Sequence, residues 1–275
     1  MRYRNLLIIL GVSVTVMALS VFVAGSQLKS PEKFSNSKAF HSQKEIQKLK
    51  QLIGVNSPID SGEYFLHSDN CKTCHGKDTA AYANIDYSGQ DVNLFDDWES
   101  TMMANSAKDP LWRAKVSHEI LVNPAHSNEL QDKCTSCHAP QGHFTAHFKG
   151  NAFYTINDLI NDTLGLDGVA CVSCHTIGTN GLGALFSGNI PYDTTRKIFG
   201  PFQNPVMGPM QLYVGFTPTY SAHMSESRVC SPCHTLQTNS ADLSGVPTGK
   251  TFIEQATYHE YNNSAFFQEN TTCQK

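Results

Sequence analysis

The hydrophobic positions of this chain form few regular patterns, and the first of them is the longest. Arg2 and Arg4 precede an uncharged apolar run from Leu6 to Ala24. That run is long for the core of a secretory leader and just long enough to cross a bilayer as a helix, which takes ~20 residues. Ala24 and Ser26 are small enough for cleavage after Ser26. Residues 1–26 are therefore read as a cleaved signal peptide or an uncleaved membrane anchor, and either one exports the rest. A buried core helix fits poorly, because basic residues precede the run and polar ones follow it. Residues 27–60 read as a polar linker containing one short amphipathic helix at 42–54. There Ser42 and Glu45 make a capping box, Ile46, Leu49, Leu52 and Ile53 share a face, and Gly54 ends the element. Such a helix packs on its own domain, or docks on a partner or a membrane surface.

Residues 61–275 form the expected main domain. "DDWESTMMANSAKDPLWRAKVSHEILV" (96–122) is the best long helical stretch, interrupted at Asp109-Pro110, where proline favours a new helix start. Residues 178–210 are rich in Gly and Pro and predict an irregular, cofactor-covering loop with a short hairpin. Strand patterning is sparse throughout. The expected class is mainly α with extensive irregular loops and little β.

Chemistry repeats where hydrophobicity does not. Cys-x-x-Cys-His occurs four times, as Cys71-Cys74-His75, Cys134-Cys137-His138, Cys171-Cys174-His175 and Cys230-Cys233-His234, using eight of the nine cysteines. Two thiols three residues apart lie on one face of a helical turn, from which they can add to the two vinyl groups of a porphyrin. The histidine that follows then ligates the iron from the proximal side. Four cysteine pairs could instead make two Cys₄ zinc sites, but that leaves four adjacent histidines unexplained. A thioredoxin-like exchange pair occurs once, near a βαβ pattern, and a disulfide-stapled domain scatters its cysteines. The pattern therefore predicts four covalent haem c groups. Their attachment requires an exported, periplasmic chain, soluble or held to the cytoplasmic membrane through residues 6–24.

Composition agrees. Charged residues make up only 16% of the chain, with Gly 19 and Pro 12. Porphyrin burial would supply the missing core, on the order of 10 kcal/mol per haem, so the haem-free chain is expected to be largely unfolded. The formal net charge is −4 and no basic stripe is present, which argues against nucleic acid as a partner. Redox proteins are the expected partners.

Each iron needs a sixth ligand or leaves that position open. Eight histidines lie outside the motifs: His41, His67, His118, His126, His143, His147, His223 and His259. His41 falls in the linker and His67 close before the first motif, where both read as surface residues. His223, in "TPTYSAHMSESRVCSPCHTL", is the best single candidate, placed to serve a neighbouring haem or else to be structural. His118, His126, His143 and His147 are further candidates. Cys273, followed only by Gln274 and Lys275, reads as the start of a fifth motif, which would raise the count to at least five haems. Its alternatives are a surface thiol or an intermolecular disulfide.

With these motifs the chain resembles the multihaem c-type cytochromes grouped with cytochrome c-554, over roughly residues 61–275. The phrases that carry the resemblance, besides the motifs, are "DDWESTMMANSAKDP", "KIFGPFQNP", "HMSESRVCSPCHTLQT" and "EQATYHEYNNSAF". The resemblance implies a mostly helical, haem-packed, exported fold that relays electrons. Many such proteins carry a helix reading W-x-x-S-x-H-A whose histidine is a distal ligand. Here "WESTMMA" puts Met103 at that place, which is either a ligand that raises potential or a core methionine. Phe266 is a second departure. Met102 substitutes if the register is off by one.

Two functions follow. A carrier passes electrons among six-coordinate haems without binding substrate at iron, whereas a reductase acting on a small nitrogen or sulfur compound needs one open haem with acid–base groups around it. No catalytic motif marks the second. A polymerising haem wire is a third possibility that the sequence leaves undecided.

Overall fold

The computed structural model describes residues 62–77, 84–242, 244 and 246–275. The leader, the linker with its helix at 42–54, and His41 lie outside those residues. Helices dominate and are short. They are α1 (Asp69–His75), α2 (Leu94–Glu99), α3 (Pro110–Val122), α4 (Ser127–His138), α5 (Pro140–Phe148), α6 (Ile156–Leu159), α7 (Thr163–Leu166), α8 (Cys171–His175), α9 (Gly208–Tyr213), α10 (Thr257–Asn262) and α11 (Ala265–Gln268). The fold is mainly α with extensive irregular connections and little β. None of the described helices is long and apolar enough to cross a membrane.

Local chemistry sets the boundaries. The Asp109 carboxylate accepts the Leu111 N–H at 2.8 Å and Pro110 occupies the first turn, so α3 begins where the sequence predicts an interruption. Upstream, α2 stops at Glu99 and residues 100–108 run in turns, so 96–122 is two helices with a turn-rich bridge. Asn93 caps α2 by accepting the Asp96 N–H, and Asp162 caps α7 by accepting that of Leu164. Pro140 starts α5 directly after α4 ends at His138.

Four strands complete the described part. β1 (Lys197–Gly200) pairs in parallel with β2 (Thr217–Tyr220), and α9 lies in the crossover. β3 (Leu236–Ala241) and β4 (Pro247–Gln255) form an antiparallel hairpin with irregular register, its second strand exposed almost throughout. The expected hairpin at 178–210 is thus corrected. That stretch holds turns, β1 and an isolated bridge from Ile177 to Tyr192, while the hairpin lies further on.

The apolar core of the described residues is divided into three clusters, each touching a Cys-x-x-Cys-His motif. Trp112, Val116, Ala139, Ala146, Tyr154 and Leu159 pack with Cys134 against them. Phe65, Leu66, Leu164, Phe216 and Val172 of the third motif make the second. Ile177, Leu182, Ile190 and Val229 make the third, bordered by Cys230 and Cys233.

Candidate cofactor-attachment site

Three of the four motifs end or occupy a helix, namely α1, α4 and α8, and the fourth starts on the last residue of a 3₁₀ turn at Ser227–Cys230. The motifs converge in two pairs. The Cys71 thiol lies beside that of Cys171, and that of Cys137 beside that of Cys233. In each pair the neighbouring thiol lowers one pKa, at Cys171 and Cys137, and raises the other, at Cys71 and Cys233. Burial pushes Cys134 and Cys174 up to about 11 and Cys230 to about 12, so these sulfurs rest as thiols. All nine cysteines are free of disulfides. The second and fourth motifs are wedged by Gly188, at φ +76°. Its N–H donates to Pro232 O at 2.8 Å, and an added Cβ would lie 2.0 Å from the Ser136 hydroxyl.

Two of the motif histidines are anchored through Nδ1. His175 Nδ1 donates to the Phe199 carbonyl at 2.6 Å, and His138 Nδ1 lies 3.4 Å from the Ser106 carbonyl. A carbonyl only accepts, so the proton sits on Nδ1 and leaves the Nε2 lone pair for a metal. Burial pushes His138, His175 and His234 below the usual imidazole range, which favours the neutral, ligating form. His138 also stacks on Trp112, centroids 4.5 Å apart and 7° from parallel. His75, in contrast, is exposed.

Hydrogen bonding sorts the distal candidates. His223 is only 1% exposed and has both nitrogens engaged. Its Nε2 donates to the Ile177 carbonyl at 2.8 Å, so Nδ1 accepts from the Ser221 hydroxyl at 2.6 Å. The residue that the sequence singles out most strongly therefore has no free lone pair in this geometry. His143 is the converse. The Thr135 hydroxyl gives its proton to backbone carbonyls, so its 3.2 Å contact with His143 Nδ1 requires that nitrogen to donate, leaving Nε2 open. Burial pushes His143 down to about 4.

His147 Nε2 donates to Asp132 Oδ1 at 2.8 Å, and His143 Nδ1 lies 3.4 Å from the same oxygen. The three side chains could together hold a cation. Asp132 Oδ1 also accepts the Tyr154 N–H at 2.8 Å, so it is satisfied without one. The group faces a cavity of about 480 Å³ bordered by Ser136, Phe144, Gly188 and Ile190.

The other candidates lie on the surface, except His67, which is half-buried. His118 is exposed beside Glu119, His126 is exposed at the end of a 3₁₀ turn, and His67 packs against Asp69 and Asp167. Met102 and Met103 are 75% and 47% exposed, so Met103 is no core residue. Its carbonyl, however, accepts the Val169 N–H at 2.9 Å. Cys273 is exposed and lies near Cys230, and its N–H donates to the Ser227 hydroxyl at 2.9 Å.

His259 ranks higher in the structure than in the sequence. It lies on α10, where the Tyr258 N–H donates to the carbonyl of the motif residue His234 at 3.0 Å. Its Nε2 is buried without a partner, beside the Phe186 ring. Only its place in "EQATYHEYNNSAF" could have marked it.

Anchored imidazoles with open Nε2 atoms, paired thiols in helical turns, partly buried except at Cys74, and an unpartnered buried nitrogen all fit covalent haem. No protein-family model and no curated protein matches the chain. Among solved structures, a penta-heme cytochrome c552 from Thermochromatium tepidum matches at 20% identity with a TM-score of 0.40. The match covers 68% of this chain and 49% of that one, so the chain spans about half the cytochrome's length.

Proposed function

We propose that the chain is an exported multihaem c-type cytochrome that relays electrons between redox partner proteins through four covalently attached haems. The observation that carries this reading is the fourfold Cys-x-x-Cys-His, with its motifs gathered pairwise in one domain. The bound groups would supply one-electron iron chemistry. The chain's own residues do the rest. Cys71, Cys74, Cys134, Cys137, Cys171, Cys174, Cys230 and Cys233 would tether the rings, and His75, His138, His175 and His234 would hold the irons. The Phe199 and Ser106 carbonyls orient His175 and His138. His143 and His259 are the distal ligands best supported by their free nitrogens. Pyridine haemochrome quantification on the matured protein is expected to return four haems, and two or fewer would contradict the proposal.

One observation favours a second reading, reduction of a small nitrogen or sulfur compound. Asp132, His143 and His147 border the 480 Å³ cavity and could exchange protons with a molecule inside it. Ferric spectra separate the two, since a carrier is wholly low-spin and a reductase shows a high-spin component.

A further inference from the structure

Asp167 is a buried carboxylate, 5% exposed, that attachment and iron ligation leave unused. It follows α7, four residues before Cys171. Its Oδ2 accepts the Ser68 N–H at 2.8 Å and Gln141 Nε2 at 3.3 Å, and its Oδ1 accepts the Ser68 hydroxyl at 2.7 Å. His67 Nε2 lies 3.4 Å from the same Oδ1. Ser68 and Gln141 are themselves fully buried. Every hydrogen-bond partner donates, which matches a carboxylate in its acceptor-only, ionised form.

The placement of those partners gives the carboxylate its consequence. Ser68 stands at the N-cap of α1, yet its hydroxyl serves Asp167 instead of a helix N–H. Gln141 comes from α5, just after the second motif. Segments adjoining three attachment motifs therefore meet on one side chain. The Cys71–Cys171 contact, which joins the first motif to the third, lies within the field of this carboxylate. A fixed negative charge in a low-dielectric interior acts over a longer distance than one in water. It favours the more positive, oxidised state of any nearby iron–porphyrin.

We propose that Asp167 positions the first attachment helix against the third and, as a buried anion between them, holds the reduction potentials of those two centres below what they would otherwise be. The inference rests on the multihaem reading, and the experiment keeps the two apart. Haem count is measured first on the matured wild type, followed by potentiometric titration of wild type and variants. Asp167→Asn is nearly isosteric and can still accept from the Ser68 N–H. It is expected to keep four haems, raise two of the four midpoints and leave the other two in place. Ser68→Ala removes the hydroxyl that donates to Asp167 Oδ1 at 2.7 Å, leaves the carboxylate charge less neutralised and should lower the same two midpoints. The Ser68 variant decides the matter if the Asp167 variant matures with fewer haems. Midpoints unmoved in both, or shifted equally at all four centres, overturn the role of Asp167 while the multihaem reading stands. A wild type holding two or fewer haems removes both.

Discussion

What a histidine offers a metal depends on the partner of its other nitrogen. The motif histidines are legible from sequence because the proposed covalent attachment demands contiguous residues, so spacing alone singles out His75, His138, His175 and His234. Distal ligands come from tertiary placement, which spacing does not encode. Thus His223 looks best in the sequence but has both nitrogens engaged, while His259 has a buried Nε2 with no partner. Replacing His259 with Ala is expected to turn one low-spin centre high-spin in the ferric spectrum. An unchanged spectrum would remove it from the ligand set. Met103→Ala should leave polypeptide stability within about 0.5 kcal/mol, because the side chain is half exposed. A fall in one midpoint in that variant, read by potentiometry, would then report thioether ligation alone.

At the scale of elements, caps and prolines were legible and irregular contacts were not. Asp109-Pro110 marks the start of α3 in the sequence and caps it in the structure. Asp109→Ala is expected to cost about 1 kcal/mol, measured by urea denaturation. The β3–β4 hairpin escaped notice because its strands are mostly polar and even Phe252 and Ile253 of the second are exposed, so no buried face imposes an alternating pattern. The wedge between the second and fourth motifs is equally silent in sequence. Gly188→Ala should cost roughly 2–3 kcal/mol, since the new methyl collides with the Ser136 hydroxyl and φ is positive. Gly150→Ala, at φ +90° with open space around it, is the control and should cost only about 1 kcal/mol.

For the whole molecule, three small clusters replace one continuous core, each bordered by a motif. On the proposed reading, porphyrins would supply much of the driving force that burial of this kind leaves wanting. Circular dichroism of chain produced without haem is expected to show little helix, and a fully helical haem-free protein would contradict that account. The Trp112–His138 stack adds a practical corollary, because the chain contains only two tryptophans. The other, Trp98, donates its indole N–H to the Val169 carbonyl, just ahead of the third motif. Both indoles would thus lie close enough to a strongly absorbing ring for their ultraviolet emission to be drained away. Recovery of that glow on denaturation would time the loss of each neighbourhood, with no label added.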